Sequence, residues 1–227
     1  MREFTYYIFN LLVFLPVLIL SFTTDVKPHR HLRGLLAGIL FVSFPFIVWD
    51  VWAVAAGHWG FNSAYVAGPY IFGLPLEEIL FFVTVPFAMM YVWGVVKKFV
   101  ADRNIALIVP LLGFGTALAA SIWMLVYYWG NGYTRSAAIA AIIAIIFAMF
   151  MRIGYSARFW TFQLLLLGLF LVFNSYLTSL PIITYGADAI IGFKIGTIPI
   201  EDFFFNFAFI TLFLLAFHAA DQPRLSR

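Results

Sequence analysis

The sequence predicts an all-α integral membrane protein with seven transmembrane helices, built as two three-helix repeats and one linker helix. Three observations lead to this fold class. Hydrophobic residues make up 64% of the chain and charged residues 10%, and the mean hydropathy is +1.01. Seven apolar runs approach the roughly 20 residues that a helix needs to cross a bilayer. A short acidic motif occurs twice, which indicates an internal duplication.

The apolar runs are too long for barrel strands, so we expect helices that satisfy their own backbone groups. The predicted spans are about 4–22, 33–52, 76–96, 106–128, 136–151, 159–179 and 199–219. We assign residues 1–100 to the first repeat, 101–132 to the linker and 133–227 to the second repeat. The first span is expected to stay in the mature chain, because Arg2 and Glu3 balance each other and no small-residue cleavage site follows.

The positive charges predict how the chain is oriented in the cell membrane. The formal net charge of +3 is too small to indicate a nucleic-acid partner. Positive side chains follow alternate spans: Lys27, Arg30, Arg33, Lys97, Lys98, Arg103, Arg152, Arg158, Arg224 and Arg227. The other side holds only Arg2, Arg135 and Lys194. The positive-inside rule then predicts an outside N-terminus and a cytoplasmic C-terminus in a multi-pass protein.

The duplicated motif places a proline and two carboxylates at the start of an apolar run. The two copies are Pro75-Leu76-Glu77-Glu78 and Pro199-Ile200-Glu201-Asp202. A shift of 124 residues superimposes them and also matches Phe46 with Phe170, whereas the first and fifth spans correspond by order only. Duplication with an odd linker predicts two parallel copies about an axis along the membrane normal. The two acidic helix starts would then face one shared cavity.

Glu77, Glu78, Glu201 and Asp202 are the candidate catalytic residues. Carboxylates beside a bilayer are costly, which indicates a task for them. A helix N-terminus also favours a carboxylate, so Glu77 and Glu201 could instead cap their helices. Because adjacent helical residues point about 100° apart, one acid of each pair could cap while the other faces the cavity. A protonated carboxyl can act as general acid and an ionised neighbour as base.

Three further polar residues are predicted to support the acids. Asp50 and its counterpart Asn174 fall at about the depth of the acid pairs, and Asn206 lies four residues after Asp202, where it could hydrogen-bond the carboxylate. Asp50 could instead be an interfacial residue that reaches water.

Aromatic residues surround the acidic motifs. Some are expected to line a cavity and stabilise a cation with their ring faces: Trp49, Phe81, Phe82, Phe204 and Phe205. Trp59 and Tyr65 are interpreted as residues of the interfacial aromatic belt.

Other kinds of site find little support in the sequence. The chain has no cysteine, and its four histidines lack metal-ligand spacing, so we expect no metal. Gly113-Phe114-Gly115 lacks the third glycine and the acid of a dinucleotide fingerprint, so no cofactor is expected. The last predicted span contains no lysine, which excludes a retinal Schiff base of the familiar kind.

At its two Pro-x-Glu-Glu/Asp motifs, the chain resembles the membrane-integral lycopene cyclase family. The resemblance covers nearly the whole chain, because the fused form of that family is two three-helix units joined by a linker helix. Asp202 departs from the motif by replacing a second glutamate, which keeps the charge and shortens the reach.

The resemblance implies a lycopene β-cyclase, an isomerase of carotenoid biosynthesis that takes lycopene from the bilayer lipid and needs no redox cofactor. An acid would protonate the terminal double bond, the neighbouring double bond would attack the cation, and a base would remove a ring proton. A dry site and a wall that does not trap the cation suit this chemistry.

Three alternatives remain at this point. The chain could cyclise another carotenoid, such as a C50 precursor, or form a γ or ε ring. It could be a proton-coupled transporter, although such acids are expected near the membrane midplane rather than at one side. It could also be a non-catalytic scaffold, for which four matched acids would be superfluous.

Overall fold

Seven helices of the computed structural model, which describes residues 2–221, are long and apolar enough to cross a membrane. They cover Arg2–Thr23, Leu32–Ala55, Leu76–Phe99, Ile108–Tyr127, Gly132–Phe150, Ala157–Ser179 and Ile200–Asp221. The predicted all-α membrane fold is therefore confirmed for these residues. Arg224 and Arg227 of the charge argument lie outside the described residues, as do Met1 and the end of the second predicted repeat.

The α-helices are α1 (Thr5–Thr23), α2 (Leu32–Gly38), α3 (Phe44–Ala55), α4 (Leu76–Phe99), α5 (Ile108–Tyr127), α6 (Gly132–Phe150), α7 (Ala157–Ser179) and α8 (Ile200–Asp221). Single 3₁₀ turns cover Arg2–Phe4, Pro28–Arg30 and Ile153–Tyr155. The second span is thus two α-helices, α2 and α3, which the sequence predicted as one.

A π-helical segment, Ile39–Ser43, joins α2 to α3. The backbone N–H of Phe44 bonds to the carbonyl of Ile39, five residues earlier. The next residue, Pro45, has no backbone N–H, so an ordinary α-helical bond is missing at that point. A wider turn of this kind changes the direction in which later side chains point. It therefore affects the direction of Asp50, which lies on α3 after the π-helical segment.

Within residues 2–221, six short strands that the sequence did not predict connect the helices on the side of the acidic motifs. They are β1 (Trp59–Phe61), β2 (Tyr70–Ile71), β3 (Leu74–Pro75), β4 (Ile183–Tyr185), β5 (Lys194–Ile195) and β6 (Ile198–Pro199). β2 pairs with β3, β5 pairs with β6, and β1 pairs with β4, all antiparallel. The β1–β4 ladder ties the two halves of the chain together.

The backbone repeats its hydrogen bonds in the two halves. The N–H of Leu76 donates to the carbonyl of Pro69, and the N–H of Ile200 donates to that of Phe193, both at 3.0 Å. In the β1–β4 ladder, Gly60 faces Thr184, its equivalent 124 residues later. Equivalent residues face each other in this way when a two-fold axis passes between the strands, and the predicted parallel repeat requires such an axis.

The two halves also pack in equivalent ways. Within each half the first helix packs on the third, as α1 on α4 and α6 on α8. Between the halves, α2 packs on α8 and α7 packs on α4, while α5 packs on α6 from outside. Small residues let α6 approach α8 closely, and four alanines on one face of α6 are fully buried: Ala137, Ala141, Ala144 and Ala148.

Candidate active site

A cavity of about 340 Å³ lies between the two halves and is lined by α1, α4, α7 and α8. On α4 its lining extends from Glu78 to Val92, which corresponds to about 21 Å along the helix. Leu12 and Leu169 line it from α1 and α7 and remain 61% and 42% exposed. The cavity is therefore a long apolar slot that opens on the outer face of the helix bundle.

The hairpins before α4 and α8 place one acid of each pair at this cavity. Glu78 and Asp202 line it and are only 7% and 6% exposed. β3 and β6 each end in a proline, at Pro75 and Pro199, and the helix begins at the next residue. The two equivalent hairpin-to-helix junctions thus bring two acids that are distant in sequence to a single site.

The other acid of each pair, Glu77 or Glu201, is fully buried and is not part of the cavity lining. Oε1 of Glu77 accepts hydrogen bonds from the backbone N–H groups of Ala67 and Gly68, at 2.7 and 2.9 Å. Oε1 of Glu201 accepts one from the N–H of Ile191, the equivalent of Ala67, at 2.7 Å. These two carboxylates hold the preceding loops, whereas the sequence had suggested caps for their own helices.

Glu78 lies in a cluster with Asp50, the acid that was predicted to support it. The Tyr6 hydroxyl donates a hydrogen bond to Oε2 of Glu78, and the Trp59 indole N–H donates to Oδ1 of Asp50 at 2.6 Å. Glu78 and Asp50 both line the cavity, and they lie close enough for the charge of one carboxyl to affect the other. Asp50 is 2% exposed, so it is a buried member of the site rather than an interfacial residue that reaches water.

Asp202 lies in a matching cluster with different donors. The Tyr133 hydroxyl donates to Oδ1 at 2.6 Å, and Oδ2 accepts from the Tyr185 hydroxyl at 2.6 Å and the Asn174 amide at 2.8 Å. Burial, followed by the charge of Asp202, raises the pKa of Tyr185 well above its usual value. Tyr185 is therefore a neutral donor at any physiological pH.

Asn206 lines the cavity but is not among the donors to Asp202. The expected hydrogen bond from Asn206 is therefore replaced by one from Asn174. Asn174 lies on α7, whose packing brings its amide to Asp202, whereas the helical spacing on α8 alone does not.

No basic side chain pairs with these buried acids in the described residues. The ion pairs found there are His31–Asp221, Lys98–Asp25 and Arg158–Asp102, all at the opposite ends of the helices. The described residues also hold no group of three or more His, Cys, Asp or Glu that could bind a metal ion. Burial without a cation makes it costly to keep several of these carboxyls ionised.

Only some of the aromatic residues that were predicted to line the cavity do so. Phe81, Phe82 and Phe205 line the cavity, whereas Trp49 and Phe204 lie behind it. Trp49 packs edge-on against Trp59 at 6.0 Å between ring centroids and tilted against Phe205 at 5.2 Å. Sequence reasoning missed four further phenylalanines of the lining: Phe9, Phe170, Phe173 and Phe209.

The sequence also missed the hydroxyl and indole groups that bond the acids. Tyr6, Tyr133 and Tyr185 belong to no motif and lie on three different elements. The prediction that Trp59 belongs to the aromatic belt is wrong, because its indole N–H donates to the buried Asp50. The β1–β4 ladder explains the arrangement, since Trp59 and Tyr185 are directly paired in it. The only signal in the sequence was the position of Tyr6 and Tyr133 at the starts of corresponding spans.

This arrangement offers buried carboxyl groups at one end of an apolar slot with aromatic walls. Such a site can hold a proton away from water, and it can shield and stabilise a cation formed next to the acids.

Comparison with known proteins identifies one family. The family model described as lycopene cyclase matches residues 3–96 and 132–220. The two segments cover the two repeats and leave out α5, the linker. A search of curated proteins and a search of solved structures found no match.

Proposed function

Because the chain belongs to the lycopene cyclase family, we propose that it is a lycopene β-cyclase, an isomerase that closes the linear ends of lycopene into β-ionone rings. Family membership alone supports an enzyme that cyclises a carotenoid, which is a lipophilic substrate in the membrane. One observation carries the proposal further. Acids from both repeats, Glu78 and Asp202, line one apolar slot that opens on the outer face of the bundle.

The shape and chemistry of the slot suit this substrate. A hydrocarbon polyene dissolves only in the bilayer, so its end has to enter from the side. The slot is long, its lining is mostly apolar, and its polar groups are concentrated at one end. A linear end that slides in from the lipid would bring its terminal double bond to the acids.

We assign the chemistry to the carboxyl groups at the polar end of the slot. Glu78 and Asp202 exchange protons with the substrate, and Asp50 and Asn174 orient them. Phe81, Phe82 and Phe205 stabilise the carbocation with their ring faces. Glu77 and Glu201 keep the loops in place, and Asn206, Trp49 and Phe204 support the walls. No step requires a cofactor, because each ring closure adds one proton to the substrate and removes another from it.

We further propose that the acidic end of the slot lies on the non-cytoplasmic side, with the N-terminus outside and the C-terminus in the cytoplasm. The excess of Lys and Arg at the opposite helix ends supports this orientation.

Expression in cells that accumulate lycopene tests the function. Chromatography of the pigment should show conversion of red lycopene to β-carotene, and Glu78→Gln and Asp202→Asn should each reduce the product by at least about a hundredfold. Asp188→Asn is the matched control, because Asp188 is an exposed acid outside the cavity. Lycopene alone in cells that contain folded wild-type protein would refute the proposal, and a γ or ε ring would refute only the β product.

A further inference from the structure

The two acid clusters occupy equivalent positions but carry different hydrogen-bonding groups. We propose that the halves divide the reaction: the Glu78–Asp50 pair holds the proton that starts cyclisation, and Asp202 is the ionised base that takes the ring proton. The inference rests on the proposed function for the identity of the substrate. The position of the proton in the resting protein does not depend on it.

The two clusters share a common frame. Tyr6 at the start of α1 and Tyr133 at the start of α6 each donate to the acid of their own half. Phe61 lies on the ring of Tyr6, with centroids 6.5 Å apart and planes at 22°, as its equivalent Tyr185 lies on the ring of Tyr133, at 5.9 Å and 9°. Each half therefore has an equivalent stacked aromatic pair. The halves differ in the polar groups around this pair.

Two differences separate the halves. Phe61 lacks the hydroxyl that Tyr185 donates to Asp202. Asp50 has a carboxyl group at the position where Asn174 has a donating amide. Compared with the second half, the first half therefore lacks two donors to its cavity-lining acid and has one more acid.

The donors around Asp202 favour its ionised form. Its two oxygens accept three hydrogen bonds, from two hydroxyls and one amide N–H. A carboxylate accepts on both oxygens, so all three donors are satisfied at once. A proton on either oxygen would compete with one of these bonds. Asp202 is therefore prepared to receive a proton only when the reaction delivers one.

The first cluster has too few donors for two ionised carboxyls. Glu78 and Asp50 receive one hydrogen bond each from the surrounding residues, from Tyr6 and Trp59. Oδ2 of Asp50 is buried, and no donor in the described residues reaches it. Two ionised carboxyls this near to each other would repel without a compensating cation. A proton shared between the two carboxyls removes the repulsion and satisfies the free oxygen.

The resulting cycle balances in atoms and electrons. The pair gives its proton to the terminal double bond, whose π electrons form the new C–H bond and leave a tertiary cation. The neighbouring double bond supplies the electrons of the ring-closing C–C bond, and the cation moves into the ring. Asp202 removes a ring proton, and the electrons of that C–H bond become the new double bond. Before the next turnover Asp202 releases its proton to solvent and the pair takes one up from solvent, so nothing is consumed.

Infrared spectroscopy of the purified full chain, without substrate, tests where the proton resides. The C=O stretch of a protonated carboxylic acid should be lost in Glu78→Gln and in Asp50→Asn. In each variant the new amide N–H can donate to the remaining carboxyl, which then stays ionised. The stretch should persist in Asp202→Asn and in the control Asp188→Asn. Persistence in both Glu78→Gln and Asp50→Asn, or loss in Asp202→Asn, would overturn the proposal.

Solvent deuterium labelling separates the two chemical roles. In heavy water, Asp202→Asn should still protonate the substrate, so recovered lycopene should gain deuterium at least about a hundredfold faster than with Asp50→Asn. Unlabelled lycopene from Asp202→Asn, or equal labelling with both variants, would refute the division of roles. If the wild type formed no cyclic product, the proposed function would fail, while the infrared result would still decide the position of the proton.

Discussion

Glu77 and Glu78 are neighbours in the chain, yet their side chains meet different surroundings, and the same holds for Glu201 and Asp202. The first acid of each pair bonds to loop N–H groups, and the second lines the cavity. The rotation of about 100° between adjacent helical residues is sufficient to separate them. The two motifs therefore contain two carboxylates that bond to loops and two that line the cavity.

Removal of a loop-binding acid should destabilise the protein. Glu77→Ala leaves two backbone N–H groups without their acceptor, at a cost of about 1–3 kcal/mol for each group that stays dry. Glu78→Gln keeps the size of the side chain and its acceptor oxygen, so its cost should be smaller. Thermal unfolding in detergent measures both variants. An equal or larger loss of stability in Glu78→Gln would contradict this division of the pair.

At the scale of elements, packing between α2 and α8 joins the two halves behind the cavity. A Cβ atom at Gly38 would lie 2.4 Å from the Phe213 ring, and one at Gly34 would lie 2.7 Å from the Phe217 ring. The absence of side chains at these positions lets α8 approach α2 closely. Because α8 carries Asp202 and α3, which continues the same span, carries Asp50, this contact fixes the distance between the acid clusters.

Gly38→Ala should therefore weaken the protein by about 1–3 kcal/mol through overpacking against Phe213. Gly168→Ala is the matched control, because a Cβ atom there would meet nothing within 4 Å. The control should be neutral or stabilise its helix by up to about 1 kcal/mol. Thermal unfolding of the two variants side by side checks this, and equal stability would show that the helices are not in tight contact.

At the scale of the whole molecule, duplication places a slot at the interface between two parallel repeats. The β1–β4 ladder lies over the acidic end and contributes Trp59 and Tyr185 to opposite clusters. Two copies of one helical unit thus form a single site, and differences between the copies can give the two acids different roles.

The proposed orientation predicts which loops reach the outside. The chain has no cysteine, so Ser63→Cys and Ala101→Cys introduce single thiols into exposed loops on opposite sides of the bundle. In intact cells a membrane-impermeant maleimide should label Ser63→Cys and leave Ala101→Cys unlabelled until the cells are opened. The reverse pattern would place the acidic end of the slot in the cytoplasm.

The seven spans and the repeat could be predicted because long apolar runs and a motif repeated at constant spacing are local features of the sequence. The spans in the structure match the predicted ranges within a few residues. The environment of the acids could not be predicted in this way. Asn174, Tyr133 and Tyr185 reach Asp202 only through helix packing and the β1–β4 ladder, which have no local signature. The π-helical segment before Asp50 could not be predicted either, because a proline such as Pro45 can be tolerated in a helix in more than one way.

We propose that ring closure starts when a carboxyl group in the slot donates a proton. Purified protein in vesicles that contain lycopene should form β-carotene when the buffer is heavy water. Mass spectrometry should then find one solvent deuterium for each ring, since the donating carboxyl exchanges with solvent before each turnover. Cyclic product without solvent deuterium would contradict the claim, and so would unreacted lycopene in the presence of folded protein.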